Sequence, residues 1–302
     1  MPVLKVALPK GHLWDNVKTL LNQAGYELKI LSERSYLVGC NDPEIEMRIH
    51  RAQNISPLVE EGKYDLGITG WDWVVECKAD VEELLNLEFG KVEVVAAAPQ
   101  TYKLQPSPNV FEEFLKKIKS EGKNRVIVAS EYENIAKTLC EEKFGGFPFK
   151  LIRSYGATET FIGVADLIVD CAETGTSLRE NGWQVIHKIF DSTARLIANK
   201  QSLKDPWKKD KIEGFVTLLQ GAREAESLKL IKMNVPEKAL KAVLKILPCM
   251  KSPTISRLAM EEEPGYAVEV AVKKEQIVWL IPALKKLGVS DILEVDIRKA
   301  VR

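Results

Sequence analysis

The sequence has few of the features that mark secreted, membrane or zinc-binding proteins. Its five cysteines are far apart and form no Cys-x-x-Cys pair, which argues against a structural zinc site and favours a reducing compartment. No apolar run approaches the roughly 18–20 residues that a membrane-spanning helix needs. The N-terminus MPVLKVALPKG also lacks the regions of a signal peptide. We therefore expect a cytoplasmic protein with no membrane partner.

Net charge is also absent. The 43 basic residues balance the 43 acidic residues, so no overall field attracts nucleic acid, and we predict no nucleic-acid partner. If the ligands are polyanions, the positive charge that binds them must be local. The 302 residues, of which 45% are hydrophobic, are enough for two or three domains with their own cores.

The chain does contain a regular alternation of strands and helices. The segments NRVIVAS, FKLIRSY and DLIVDC predict strands, and the intervening residues predict a helix at about 131–144 and another that begins at GATE. Short apolar runs without polar interruption are typical of parallel strands that are covered on both faces. This region therefore predicts an α/β fold.

The pattern changes at about residue 227. LKLIKMNV, SPTISRLA, YAVEVAVK and DILEVDIRKAV predict strands, and helices are predicted after the first and third of them. The order β-α-β-β-α-β is that of the ferredoxin-like fold. Alternating polar and apolar residues in VEVAV and LEVDI predict a sheet with one face open to water or a partner.

The stretch VDCAETGTSLRENG at residues 169–182 carries the clearest chemistry. Asp170 ends a predicted buried strand, and ligands of open parallel sheets bind beyond the carboxyl ends of the strands. The following turn presents backbone N–H groups and hydroxyls at the start of a helix, where the helix dipole favours an anion. The residues of this predicted phosphate-binding turn are Glu173, Thr174, Gly175, Thr176 and Ser177. Simple helix capping is the alternative, although capping does not require a buried acid at a strand end.

This motif resembles the ribose 5-phosphate signature of phosphoribosyltransferases, in which TG-x-[TS]-L follows an acidic residue. The longer context resembles the ATP phosphoribosyltransferase family. The similar segments are ALPKGHL, SERSYLV, DLGITGWDWVVE, SYGATET, ADLIVDCAETGTSLRENGW, STARLIANK, NVPEKAL, SPTISRL and DILEVDIRK. The last three resemble the regulatory domain of the long form, so the resemblance covers nearly the whole chain.

The resemblance implies a pentosyltransferase that uses Mg²⁺. Family members join ATP and phosphoribosyl pyrophosphate (PRPP) to give N1-(5-phosphoribosyl)-ATP and pyrophosphate, the first step of histidine biosynthesis. The implied fold has two lobes like those of a type II periplasmic binding protein, with the active site in the cleft, and a ferredoxin-like domain that binds histidine as an inhibitor. A homo-oligomer, from dimer to hexamer, without a separate regulatory subunit is also implied.

The domain limits follow from these patterns. We expect catalytic lobe I to comprise residues 1–95 and 184–226. Catalytic lobe II, with the PRPP-binding turn, is expected at 96–183, and the regulatory domain at 227–302.

A chain without net charge needs specific cations at a polyanion site. Lys10 matches the lysine of the family's Lys-Gly motif, and Arg34 and Arg51 match family arginines near the PRPP pyrophosphate. The resemblance implies a catalytic role for all three, whereas their positions alone suit solvated surface charges. The resemblance also places a second set of residues on the nucleotide side of the cleft. These are Gly11, Gly156, Ala157, Thr158 and Glu159, of which the last four are otherwise readable as a helix N-cap. We assign no protein ligand to Mg²⁺ and expect it to bind mainly through substrate phosphates.

Two positions depart from the family pattern. His12 stands where the family usually has arginine after Lys-Gly, and Gln53 replaces the second arginine of the family's R-x-R-D-I-P. Both changes remove positive charge near the predicted polyanion site. They leave open which residues contact ATP.

In the C-terminal domain, hydroxyls recur at every second residue of one predicted strand. Ser252, Thr254 and Ser256 would share one side of the strand SPTISRL, and Asn234 matches the NVP motif. The resemblance makes these four residues candidates for binding histidine. An edge strand that is kept polar against aggregation is the alternative.

Two other function classes remain open at this point. A base phosphoribosyltransferase of the purine or orotate kind would share the TGT turn but not the two-lobed pattern or the extra domain. A non-catalytic small-molecule binding or sensor protein would share the lobes, but it is disfavoured by the predicted phosphate-binding turn and the absence of a signal peptide.

Overall fold

The computed structural model describes residues 2–30, 35–248, 252–259 and 264–301. The chain forms two compact units, one comprising Met1–Lys18 and Leu28–Ile212 and the other Thr19–Glu27 and Glu213–Arg302. Across the described ranges, every helix is too short or too polar to cross a membrane.

Sixteen strands and nine α-helices are found in the described ranges. The strands are β1 (Leu4–Lys10), β2 (Lys29–Ile30), β3 (Leu37–Gly39), β4 (Ile45–Arg51), β5 (Leu66–Gly70), β6 (Glu82–Asn86), β7 (Val92–Pro99), β8 (Val126–Ser130), β9 (Phe149–Arg153), β10 (Leu167–Ala172), β11 (Trp183–Ser192), β12 (Ala194–Ala198), β13 (Leu228–Pro236), β14 (Thr254–Arg257), β15 (Gly265–Lys273) and β16 (Ser290–Asp296). The helices are α1 (Trp14–Ala24), α2 (Ala52–Glu60), α3 (Trp71–Cys77), α4 (Val110–Ser120), α5 (Glu133–Lys143), α6 (Thr176–Glu180), α7 (Pro206–Glu226), α8 (Leu240–Ile246) and α9 (Lys274–Lys286).

The first unit contains two sheets of the same design. The first sheet has the order β2-β3-β4-β1-β5-β12-β6 and the second the order β11-β7-β10-β8-β9. In the first sheet β4, β1 and β5 are parallel, and β12 lies antiparallel beside β5. In the second sheet β10, β8 and β9 are parallel, and β7 lies antiparallel beside β10. The chain leaves the first sheet after β6 and returns through β12. This exchange confirms the predicted two-lobed, periplasmic-binding-protein-like class.

Burial in the second sheet explains the uninterrupted apolar runs. Alternate residues of β10 enter two different cores: Leu167 and Val169 pack with α4 and α5, whereas Ile168 packs with Leu178 and Trp183 on the opposite face. Because successive side chains of a strand point to opposite faces, Asp170 follows on the face of Ile168. Packing in these two apolar cores therefore fixes the face of the sheet from which the Asp170 carboxyl projects.

The third sheet belongs to the second unit and has the order β14-β15-β13-β16, with every pairing antiparallel. Its apolar face packs in one cluster with residues of α8 and α9, and includes Ile231, Met233 and Val268. The element order and strand order confirm the ferredoxin-like prediction. The other face carries the exposed side chains of Leu293 and Val295, in keeping with the predicted open side.

One predicted helix is wrong. The segment that begins at GATE forms only a single 3₁₀ turn, Thr158–Phe161, before the chain enters β10. Gly156 has φ 103° and Ala157 has φ 49°, so both lie in the left-handed region, which a right-handed helix cannot continue. The predicted helix at 131–144 is confirmed as α5.

Candidate active site

Two groups of strand ends define the candidate site. In the first sheet β1 and β4 are parallel, and their final residues, Lys10 and Arg51, are direct register partners. In the second sheet β8 and β10 are parallel, with Ser130 opposite Val169, so Glu131 and Asp170 come next at the same edge. Burial raises the pKa of Glu131, and the positive charges of Arg153 and Arg51 oppose that rise. Arg51 therefore lies near enough to Glu131 to act on its charge.

Asp170 is half-buried, and its Oδ1 accepts a hydrogen bond of 2.7 Å from the backbone N–H of Cys171. Burial raises the pKa of Asp170 to about 6, with smaller contributions from the negative charges of Glu131 and Glu159. The Cys171 N–H and the nearby hydroxyl of Thr158 oppose this rise. The carboxyl is thus ionised at neutral pH, at a cost that a hydroxyl donor from a ligand would reduce.

The predicted phosphate-binding turn leaves main-chain donors available. In the described chain, the N–H groups of Glu173, Thr174 and Gly175 make no backbone or side-chain hydrogen bond. Gly175 has φ 68°, a conformation that glycine adopts without strain. The hydroxyls of Thr174 and Thr176 are 2.9 Å apart and bonded to each other. Because α6 has only five residues, its dipole is small, and the loop amides are the main donors that this turn would offer to an anion.

A cavity of about 570 Å³ borders this turn. Val95 and Ala172 line it, and both lie on the face of the sheet that carries Asp170, since Val95 is the register partner of Asp170. Arg179 also lines the cavity, and its Nη2 donates to Oγ1 of Thr176 at 3.3 Å. This contact places the guanidinium of Arg179 beside the predicted phosphate-binding turn.

The turn at residues 156–159 contacts the same site. Oγ1 of Thr158 lies 2.8 Å from Oγ of Ser154, and the carboxylate of Glu159 accepts a bond of 3.0 Å from Oγ of Ser177. The indole N–H of Trp183 donates to the backbone carbonyl of Glu159 at 2.8 Å. These bonds attach the 156–159 turn to the phosphate-binding turn, while its predicted place on the nucleotide side stays a prediction.

Of the three predicted cationic residues, the structure describes Lys10 and Arg51. Lys10 and Arg51 are exposed, and neither forms an ion pair with any described residue; the ammonium of Lys10 lies 5.3 Å from the ring centroid of Tyr36. Gly11 follows β1 with φ 94°, which turns the chain at the site. Arg34 lies outside the described residues.

The sequence did not point to the polar contacts that join the two sheets. Tyr132 donates a bond of 2.7 Å to Oδ2 of buried Asp72, and Ser192 donates one of 2.6 Å to Oδ1. Glu76 accepts the N–H groups of Asn134 and Ile135 at the start of α5. These contacts join α3 to the N-terminal end of α5. The sequence feature that could have indicated them is Asp72, an acidic residue between two tryptophans in the WDWVVE segment.

The candidate effector residues lie in the third sheet. Asn234 is the register partner of Ala267, which is in turn the partner of Ser256, so all three share the open face. Nδ2 of Asn234 donates a bond of 2.8 Å to Asp291. Thr254 begins the exposed edge strand β14, and Ser252 precedes that strand. No side-chain hydrogen bond joins any two of these four described residues.

Family models and curated relatives that match this chain all point to the same family. The ATP phosphoribosyltransferase family model matches residues 51–221, and the model of its C-terminal domain matches residues 225–299. ATP phosphoribosyltransferases of Chlorobium phaeovibrioides and Pelotomaculum thermopropionicum are each 39% identical over 99% of this chain, and the match covers 98% and 99% of those proteins.

A solved structure resembles part of the chain. It is the ATP phosphoribosyl transferase (HisG:HisZ) complex from Thermotoga maritima, with 25% identity and a TM-score of 0.59 over 72% of this chain and 97% of that one. The family models and the relatives match this chain over nearly its whole length, and the two-sheet unit and the ferredoxin-like unit agree with that match. The chain belongs to the ATP phosphoribosyltransferase family.

Proposed function

We propose that the protein transfers the 5-phosphoribosyl group of PRPP to N1 of ATP, giving N1-(5-phosphoribosyl)-ATP and pyrophosphate in the first step of histidine biosynthesis. The observation that carries this proposal is the turn at 173–175, whose free amides follow Asp170, together with the exposed cations Lys10 and Arg51 at the strand ends of the first sheet. Such a site offers donors to a phosphate, an acceptor to sugar hydroxyls and positive charge to pyrophosphate.

The residues act by positioning and electrostatics. The loop amides and hydroxyls hold the 5-phosphate, and Asp170 accepts a hydrogen bond from the ribose. Lys10 and Arg51, with Arg34 in the same role by family resemblance, stabilise the negative charge that gathers on departing pyrophosphate. Gly11 and the 156–159 turn line the nucleotide side. The adenine N1 is itself the nucleophile, so the reaction needs no nucleophilic side chain.

A divalent metal ion fits this site through the substrate. Among the described residues there is no group of three or more acidic, histidine or cysteine side chains that could hold a metal. Mg²⁺ usually keeps several waters and binds substrate phosphates with one or two carboxylates. We propose that Mg²⁺ enters with pyrophosphate, where it supplies Lewis acidity to the leaving group.

Regulation and assembly form the second part of the proposal. We propose the three-domain division 1–95 with 184–226, 96–183 and 227–302, in which histidine binds the third domain near Asn234, Ser252, Thr254 and Ser256. The open face of the third sheet suits contact with further copies of the chain, as a dimer or hexamer. This arrangement needs no separate regulatory subunit and suits a cytoplasmic enzyme.

One assay separates the function classes. The protein is incubated with PRPP and Mg²⁺, ATP, orotate or free purines are added separately, and pyrophosphate is measured. Release with ATP only supports the proposal, whereas release with a free base would favour a base phosphoribosyltransferase. No release with any acceptor would favour a binding or sensor protein. Histidine is expected to inhibit non-competitively with PRPP, and inhibition that survives removal of residues 227–302 would overturn the regulatory assignment.

A further inference from the structure

We propose that Glu131 is a second acidic contact for the ribose of PRPP, beside Asp170, and that its negative charge stabilises the anomeric carbon as pyrophosphate leaves. This inference rests on the proposed transfer reaction and adds a catalytic residue to it.

The position of Glu131 comes from the sheet. β8 and β10 are parallel neighbours with Ser130 opposite Val169, so Glu131 emerges next to Asp170 at the edge where the substrate binds. On its other side, Oε1 of Glu131 lies 3.8 Å from the place that a Cβ on Gly156 would occupy. The carboxylate therefore lies between Asp170 and the 156–159 turn.

The surroundings of Glu131 leave it free to meet a ligand. The side chain is half-buried, and in the described part of the chain it forms no hydrogen bond and no ion pair within 4.0 Å. Burial raises the pKa of its carboxyl, and the positive charges of Arg153 and Arg51 oppose that rise. Its neighbour Glu133 differs, because it is paired with Arg153 at 3.5 Å. A half-buried carboxylate without a donor gains most from a ligand that supplies one.

The proposed roles of the neighbours place the sugar against Glu131. The 173–175 amides hold the 5-phosphate at one end, and Arg51 holds pyrophosphate at the other, so the ribose lies between them. Asp170 and Glu131 then offer two acceptors to two vicinal hydroxyls. In the reaction the bond from C1 to a pyrophosphate oxygen breaks, its electron pair leaves with pyrophosphate, and the bond from adenine N1 to C1 forms. A fixed negative charge beside C1 is most favourable while C1 is positive.

The test separates a charge effect from a structural one. Glu131→Gln keeps the size and one acceptor oxygen but removes the charge, so kcat is expected to fall by about 10- to 100-fold. The Kd of PRPP, measured by calorimetry, is expected to change less than about threefold, since the retained oxygen still accepts a hydrogen bond. A cationic iminoribitol 5-phosphate, which carries positive charge near C1, is expected to bind about tenfold or more weakly, whereas neutral ribose 5-phosphate is unaffected.

The matched control is Glu133→Gln, which changes the adjacent, surface-paired acid and is expected to leave kcat and both affinities unchanged. An unchanged kcat in Glu131→Gln would overturn the inference, and so would equal weakening of the cationic and the neutral ligand. Wild-type protein that releases no pyrophosphate from PRPP and ATP would instead overturn the proposed function, so the two failures are distinguishable.

Discussion

Asp170→Asn is expected to make the protein more stable and less active. Burial raises the pKa of Asp170 from 3.8 to about 6 in the folded protein, so the folded state binds the proton more tightly than the unfolded state. The folded state is therefore favoured below about pH 4, and this advantage is lost as the pH rises through about 6. A shift of about 2 pKa units corresponds to about 3 kcal/mol at pH 8, at 1.36 kcal/mol per unit, and to about half of that at pH 5.

Asparagine removes this cost because it is neutral at every pH. Its amide oxygen can still accept the 2.7 Å bond from the Cys171 N–H, so we expect the free energy of unfolding to rise by about 1–3 kcal/mol at pH 8 and to be unchanged at pH 4. Urea unfolding followed by tryptophan fluorescence measures it, since Trp183 is fully buried in the second sheet. The KM for PRPP should rise by about tenfold or more, because one acceptor for the sugar hydroxyls is lost.

The control for this prediction is Asp191→Asn. A hydrogen bond from Lys188 lowers the pKa of exposed Asp191, so its stabilising effect is present at neutral pH and is lost as the pH falls, opposite in sign to Asp170. Asp170→Asn protein that is no more stable than wild type at pH 8 would refute the reasoning. An equal gain at pH 4 and pH 8 would refute it too, because ionisation would not be the cause.

Three further substitutions test the site and its support. Gly175→Ala places a side chain at φ 68° and should cost about 1–2 kcal/mol of stability and raise the KM for PRPP; unchanged kinetics would remove the turn from the site. Arg51→Ala should raise the KM for PRPP by about tenfold or more and make that KM less dependent on salt. The control is Arg48→Ala, on the same strand but paired with Glu46, which should leave the KM unchanged. Equal effects of the two substitutions on the KM would argue against a specific role for Arg51. Tyr132→Phe leaves buried Asp72 without one donor and should lower the free energy of unfolding by about 1–3 kcal/mol in urea; full stability would mean that this bond contributes nothing.

Much of the site could be predicted because its signals are local. Asp170 and the 173–177 turn are consecutive in sequence, and the apolar run before them shows where the strand ends. The third sheet was equally readable, since its alternating strands and amphipathic helices follow each other without insertions. Such patterns report the environment of each segment directly.

Other features depend on residues that are far apart in the chain. Tyr132 and Asp72 are separated by 60 positions, and only the pairing of sheets brings them together. Glu131 looked like the first residue of an ordinary helix until the register of β8 with β10 placed it beside Asp170. The GATE helix failed for a different reason: left-handed Ala157 and the Thr158 and Ser177 hydroxyl bonds override a good local capping pattern.

The return of β12 to the first sheet has a consequence for synthesis of the chain. β12 lies between β5 and β6, yet it is made more than a hundred residues after β6. Until residue 198 has left the ribosome, the fully buried strand β5 has an open side with unpaired backbone groups, and β6 has no neighbour. The first sheet of a nascent chain is therefore incomplete and prone to aggregation. A chaperone that binds apolar strands is expected to bind β5 at this stage.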